Sequence, residues 1–469
     1  MAASAVSVTR DGVTLEGSLT LPAARPAPVV VCLHGASDGT RDFRLFRHLE
    51  SLAVPAGIGV LRYDRRGSGA SGADFERASL SDLADDALAW VALLAAREDV
   101  DAARIGCWGF SQGGWIGPDA AARSPSIACL ALVGACAVTP AEQMGYAAVT
   151  ALAAAGAGPD VIEQVRALRR AVDEAIRSGR DRELVRARVA ALADTPWIAH
   201  AFLPDPANAG EWQSGKWALE MDYDIGPALE RLAIPTLLIH GDHDRWTPIE
   251  ASLAAWRERF GSRHPDLLTM VRVPGTGHFP TAARGAEGEE AAPISVAYEL
   301  VLRDWLVATL LPDPPDLPAA GCDLRRARSG DAPAITALVD AAYGPYVSRI
   351  GRQPIPMRTD HAAAIRDDEV WVLDERGELR GVLHLVIGDD HLLIHNVAVS
   401  PPVQGRGLGG RLLDHAERRA RQLARPEVRL YTNERYVENL AIYAARGYRE
   451  THRTPLSGTA LVHMRKAIS

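Results

Sequence analysis

The 469-residue chain reads as an α/β protein of two unlike domains, a large one over 1–310 and a compact one over 322–469. Three observations carry this expectation. In the first part, short β-branched apolar runs alternate with alanine- and leucine-rich helical stretches, the pattern of a parallel sheet buried on both faces. The composition, 47% hydrophobic and 23% charged, is that of an ordinary globular protein, and at roughly 150 residues per domain the length leaves room for about two to four domains. The stretch 311–321 carries Pro312, Pro314, Pro315 and Pro318, which block helix and sheet pairing and favour an extended linker.

In the first domain the runs 29–33, 59–63, 104–108, 127–134, 236–240 and 268–273 are expected as strands. The gap between the fourth and fifth is longer than one crossover helix requires. Residues 140–229, with helices expected at 160–177 and 181–193, are therefore read as a cap over one end of the sheet. Their arginines and glutamates follow a solvated pattern, which assigns the cap to substrate access rather than chemistry.

A net charge of −8 argues against a protein that grips nucleic acid by bulk charge. The five cysteines, Cys32, Cys107, Cys129, Cys136 and Cys322, are scattered and lie mostly in or beside apolar runs. They are expected as buried hydrophobes in a reducing compartment, with no disulfide framework and no metal site. The first residues lack the basic region and long apolar core of a signal peptide. No apolar run reaches the roughly 18 to 20 residues of a membrane span. A cytoplasmic protein without a membrane or nucleic-acid partner is expected.

Gly109-Phe110-Ser111-Gln112-Gly113 follows an apolar strand and opens a helix. A G-x-S-x-G segment there makes a sharp turn that exposes one serine hydroxyl at the strand's carboxyl edge, and the glycines let the chain close around it. A serine needs a base and an orienting acid to act as nucleophile. Asp242 and Asp244 follow the strand at 236–240, and His278 follows the strand at 268–273. This order of Ser, Asp and His, each at a strand's carboxyl end, resembles the α/β-hydrolase fold of serine esterases and peptidases, a doubly wound, mostly parallel sheet with a helical cap. The resemblance implies acyl transfer to water from an ester, thioester or amide, with Ser111 as nucleophile and His278 as base. It favours Asp244 over Asp242 as the acid, because the family places its acid three residues after the glycine and four before the proline, as Gly241 and Pro248 stand here. His34-Gly35 resembles the family's oxyanion loop, which implies that the N–H groups of Ala36 and Gln112 hold the oxyanion. Residues 62–69 resemble a structural turn of these hydrolases and receive no catalytic role.

Beyond Gly321 a helix is expected over 329–343 and strands over 369–373, 379–387 and 391–399. A turn at 374–377 joins the first two. Gln404-Gly405-Arg406-Gly407-Leu408-Gly409-Gly410 then leads a strand into a helix over 412–423. Such a turn offers free backbone N–H groups and a helix dipole to an anion. No Lys-Ser/Thr pair follows, as a Walker loop requires, and no βαβ unit with a terminal acid completes a dinucleotide fingerprint. The turn resembles the Q/R-x-x-G-x-G/A signature of the GCN5-related N-acetyltransferases (GNAT). Val397-Ala398-Val399 before it and Thr432-Asn433-Glu434, Asn439, Tyr443 and Gly447-Tyr448 after it extend the likeness.

That resemblance implies acetyl-CoA, or another acyl-CoA, as co-substrate and no metal. Its pantetheine arm would run along Val397, Ala398 and Val399. Its pyrophosphate would sit on N–H groups of Gly405 to Gly410, with Gln404, Arg406, Leu408 and Asn439 in the same binding set. Tyr443 matches the tyrosine that protonates the departing thiolate. His395 and Asn396 stand where relatives often carry an acid, and His395 is the candidate base. The segment 342–357 mixes aromatic and arginine residues, which suits a small acceptor bearing a carboxylate or simply a packed loop; both stay open.

The two motif sets together imply a bifunctional enzyme for small molecules, a serine hydrolase acting on acyl esters or amides joined to an N-acyltransferase acting on an amine. The hydrolase could free the amine, remove the added acyl group, or serve one pathway on another substrate. Two alternatives stand beside this: an active transferase with a non-catalytic hydrolase-fold binding module, and a non-catalytic CoA-responsive regulator. The sequence carries no sign of oligomeric state.

Overall fold

The chain begins with a hairpin of β1 (Ser4–Arg10) and β2 (Val13–Thr20). Asp11 and Gly12 turn it with φ of 49° and 77°, the left-handed pair of a tight hairpin turn. The computed structural model describes residues 3–208, 212, 215–282, 290–311, 322–404, 407–456 and 458–468. It separates into two units, Met1–Leu310 and Leu311–Ser469.

In the first unit β3 (Ala27–Leu33), β4 (Gly59–Tyr63), β5 (Val100–Phe110), β6 (Ile127–Val133), β7 (Thr236–Gly241) and β8 (Leu268–Val273) join the hairpin in an eight-stranded sheet of order β1-β2-β4-β3-β5-β6-β7-β8. From β4 to β8 every pairing is parallel, and the hairpin adds its antiparallel edge through β2. Every residue of β3, β4 and β7 is buried, as a sheet covered on both faces requires. The crossover helices carry the covering surface. Leu80–Ala95 starts with a Ser79/Asp82 capping box and buries Leu83, Ala87, Trp90, Val91 and Leu94. The parallel register brings the carboxyl ends of β3, β5, β6, β7 and β8 to one edge, where ligands meet such sheets.

Between β6 and β7 run the helices Pro140–Ala154, Pro159–Ser178, Arg182–Ala190 and Lys216–Glu220. Leu168, Val172, Ile176, Val185, Val189 and Trp212 make a separate small core among them. The solvated pattern expected of their charges fails at two places. Arg169 is buried and donates to the Ala201 carbonyl at 2.9 Å, and Glu220 is 7% exposed. Arg169 reaches a carbonyl 32 residues on, and Glu220 accepts from Gln112, 108 residues back, contacts that helix periodicity does not register.

In the second unit β9 (Cys322–Arg326), β10 (Glu369–Glu375), β11 (Glu378–Ile387), β12 (Leu392–Val399), β13 (Glu427–Asn433), β14 (Arg449–Leu456) and β15 (Thr459–Ala467) form a seven-stranded sheet of order β14-β15-β13-β12-β11-β10-β9. All pairings are antiparallel except β12 with β13. Helix Leu408–Gln422 buries Leu408, Leu412, Leu413, Ala416 and Ala420 against the sheet.

The helix expected over 329–343 is instead a short 3-10 turn, Ser329–Asp331, and a helix Ala332–Ile350. It passes through Gly344 and Pro345 and stops at Gly351, whose φ is 71°. Pro345 removes one helical hydrogen bond, but the turn beyond it carries Tyr346, whose ring packs 4.3 Å from that of Tyr436. Tertiary packing overrides the local break. The part of the segment 342–357 up to Ile350 is therefore helix.

Among the described residues no helix is long and apolar enough to cross a membrane, and no cluster of three or more His, Cys, Asp or Glu could hold a metal ion. All five cysteines are buried.

Candidate active sites

The first candidate site gathers at the carboxyl edge of the parallel sheet. Ser111 follows β5 with φ of 52°, a left-handed backbone that a non-glycine residue adopts only at a cost. The chain closes tightly around it. A Cβ on Gly109 would lie 2.7 Å from the Gly113 carbonyl oxygen, and one on Gly113 would lie 2.9 Å from that of Leu33. Both glycines are thus required by close approach.

Asp244 lies past the end of β7. Its Oδ1 accepts from the N–H groups of Trp246 at 2.8 Å and Thr247 at 3.0 Å, and its Oδ2 stands 2.9 Å from Nδ1 of His278. Burial alone would raise this carboxyl. The neighbouring His278 and the two N–H groups outweigh burial and hold it below its ordinary value. Asp242 turns away and accepts from the Gly275 N–H at 2.8 Å, and His243 is exposed. The structure therefore brings Asp244, not Asp242, to His278. A Cβ on Gly134 would lie 3.0 Å from Cε1 of His278, so the turn after β6 packs directly on the imidazole.

The loop after β3 is held from behind. Arg65 donates to the carbonyls of Gly35 at 2.7 Å, Ala36 at 3.3 Å and Ser37 at 3.1 Å. His34 is buried, with Nε2 2.7 Å from the Tyr63 carbonyl, and burial lowers its pKa to about 4. Among the described residues, the backbone N–H groups of Ala36 and Gln112 have no hydrogen-bond partner.

Sequence reasoning missed the support behind Gln112. Its side-chain amide donates to Glu220 at 3.1 and 3.3 Å, and Glu220 pairs with Lys216 at 2.6 Å. Lys216 also donates to the Ala78 carbonyl at 2.8 Å and lies over the Phe75 ring, which the Arg65 guanidinium covers too. Burial pushes both members of the pair toward their neutral forms, raising Glu220 and lowering Lys216. Lys216 is one of only two lysines in the chain; that rarity was the one signal available.

The second candidate site is a gap between strands. β12 and β13 pair only over Leu392–Ile394 and Val428–Leu430, then part. Across β11 the register slips, with His384 opposite Asn396 and Leu385 opposite Ile394, so His395 is the extra residue of a bulge. Where the strands part lies a cleft open to solvent. His395, Asn396 and Val397 line one side, Tyr431, Thr432 and Asn433 the other, and Tyr343, Tyr436, Asn439 and Tyr443 also line it.

His395 Nδ1 stands 3.0 Å from the Tyr431 hydroxyl, and its ring centre is 4.7 Å from that of His384. His384 Nε2 lies 2.8 Å from Asp368 Oδ2. Burial first, and electrostatic interaction with His384 second, lower the His395 pKa, which favours its neutral imidazole. Asp368 thus stands behind His395 by way of a second histidine, a link between elements that the sequence does not reveal. Tyr443 on helix Val437–Ala445 is buried beside Tyr448, and burial pushes its phenol well above its ordinary value.

Val397, Ala398 and Val399 pair with β11 on one edge; on the other they have no partner strand among the described residues. Gln404 donates to the Val399 carbonyl at 3.0 Å. Gly405 and Arg406 lie outside the described residues. Gly407 has φ of 80° with no atom of the described residues near a would-be Cβ, and that backbone conformation is what favours glycine there. Leu408, Gly409 and Gly410 open the following helix, whose first N–H groups have no intrahelical partner.

An alpha/beta hydrolase fold family model matches residues 28–281, and an acetyltransferase (GNAT) family model matches residues 335–448. No curated protein matches the chain. Among solved structures it is similar to a proline iminopeptidase from Mycobacterium smegmatis, at 21% identity over 66% of this chain and 99% of that one, with a TM-score of 0.42. It is also similar to Est1E from Butyrivibrio proteoclasticus, at 18% identity over 66% and 99% and a TM-score of 0.41. For the alpha/beta hydrolase GrgF from Penicillium sp. sh18 the values are 17%, 66% and 100%, with a TM-score of 0.45.

Proposed function

Since the chain belongs to the alpha/beta hydrolase fold family and carries a GNAT acetyltransferase domain, we propose that it is a bifunctional enzyme, a serine hydrolase joined to an acyl-CoA-dependent N-acyltransferase. In the hydrolase, Ser111 Oγ attacks the carbonyl carbon of an ester, thioester or amide while His278 takes its proton. Asp244 holds Nδ1 of that imidazole and stabilises the cation that forms. The free N–H groups of Ala36 and Gln112 receive the oxyanion, and Arg65 braces the carbonyl side of the same loop. His278 returns the proton to the leaving group, and water, activated by His278, releases the acid from Ser111.

In the transferase, an acyl-CoA such as acetyl-CoA is the co-substrate. Its pantetheine amides suit the unpaired edge of Val397 to Val399. Its pyrophosphate suits the N–H groups from Gly405 to Gly410, with Gln404, Arg406 and Asn439 alongside. A small amine enters the cleft and attacks the thioester carbonyl, and the carbon–sulfur bond breaks. His395 takes the amine's proton, and Tyr443, kept protonated by burial, gives one to the thiolate. Both substrates are small molecules, and cytoplasmic residence fits both activities.

The observation that supports this function most is the 2.9 Å contact of Asp244 with His278 beside the left-handed turn at Ser111. Fluorophosphonate labelling tests the hydrolase, with labelling expected in the wild type and lost in Ser111→Ala. CoA release from acetyl-CoA over an amine panel tests the transferase. Wild-type labelling absent, or unchanged by Ser111→Ala, removes the hydrolase; no amine-dependent CoA release removes the transferase.

A further inference from the structure

We propose that the acceptor of the C-terminal cleft is an amine with an apolar or aromatic body and one carboxylate, which Arg352 receives. This deepens the acyl-transfer function proposed above and rests on it. No aspartate or glutamate is among the described residues lining the cleft, whose walls include Ile355, Pro356, Tyr436 and Leu461. Arg352 lines it half-buried and has neither an ion pair nor a hydrogen bond among the described residues. Its neighbours differ: Arg349 pairs with Glu438 at 2.8 Å, and Arg435 donates to the Arg349 and Gly458 carbonyls.

A guanidinium against apolar walls with no counter-ion suits a planar carboxylate, which it can bind through two parallel hydrogen bonds. The same charge repels a polycation, and no carboxylate among the described residues lining the cleft offsets that repulsion. Asn396, 4% exposed, also lines the cleft; it accepts from the Tyr343 hydroxyl at 2.9 Å, while its buried Nδ2 has no partner among the described residues. None of the described residues of the glycine turn, Gln404 and Gly407 to Gly410, lines the cleft with Arg352. The apolar body would lie against Tyr436 and Ile355, and the uncharged amine would face the thioester.

The test uses the full chain, acetyl-CoA, and phenylalanine, phenylalaninamide and spermidine as acceptors, with thiol release followed by Ellman's reagent. In parallel, calorimetry measures binding of N-acetylphenylalanine and of its amide to wild type, Arg352→Ala and Arg352→Lys. We expect kcat/KM for phenylalanine to exceed that for the amide and for spermidine by about tenfold or more, the effect of one charged hydrogen-bonding contact. Arg352→Ala should remove the preference for acid over amide through KM, and Arg352→Lys should restore part of it. Transfer to spermidine ahead of phenylalanine, or an acid preference untouched in Arg352→Ala, overturns this inference and leaves the transferase standing. Arg352-dependent binding of the acid with no turnover of any amine supports the carboxylate site and removes the transferase. Neither binding nor transfer overturns both.

Discussion

The two candidate sites are built by opposite means. Around Ser111 the reacting groups are already bonded to the protein: Asp244 to His278 and two N–H groups, Gln112 to Glu220, and the carbonyls behind Ala36 to Arg65. Around His395 the site is a gap, made where β12 and β13 stop pairing and a bulge turns one strand. The first is organised by side chains that lock loops, the second by backbone left without a partner. A substitution in the first should abolish chemistry through a single atom, whereas in the second most should weaken binding by degrees.

The largest expected effect sharpens that contrast. Ser111→Ala should lower ester hydrolysis by about 10⁴-fold or more, because the triad acts as a unit, while CoA release stays as in wild type; hydrolysis of p-nitrophenyl esters measures the first. Tyr443→Phe should lower kcat for acyl transfer by about 10²-fold, the lower end of general-acid catalysis, with little change in acyl-CoA affinity. A smaller effect is expected from Gly407→Ala. Holding φ at 80° with a side chain costs about 1–2 kcal/mol, read as roughly tenfold weaker acyl-CoA binding by calorimetry.

The smallest effect is one of pH. Burial lowers the His395 pKa most, and electrostatic repulsion by His384 lowers it further. His384→Gln removes that repulsion, so the His395 pKa rises and less of it is unprotonated at a given acidic pH. The acidic limb of kcat/KM for acyl transfer should therefore move to higher pH. A limb that stays in place would break the link between the two histidines.

The same difference decides what the sequence discloses. The Ser111 turn is legible because its signature is local: a glycine two residues on either side, Gly109 pressed on the motif's own Gly113 carbonyl and Gly113 on that of Leu33. The parallel strands are legible because burial on both faces leaves continuous apolar runs. Partners brought together by tertiary contact are not. Glu220 reads as a solvated cap charge although it holds Gln112, 108 residues away in sequence, and Asp368 becomes relevant only through His384. The β14–β15 hairpin escapes because β14 is exposed along nearly all its length and shows no alternation. The β1–β2 hairpin carries its signal in Asp11-Gly12, but its strands are half polar and sit at the sheet edge.

The most direct test of two separate chemistries in one chain follows both activities in a single sample before and after fluorophosphonate treatment. The account predicts that ester hydrolysis disappears with one adduct per chain, mapped to Ser111, while amine-dependent CoA release continues at its original rate. An adduct elsewhere, hydrolysis that survives full labelling, or CoA release that falls with it would contradict the account.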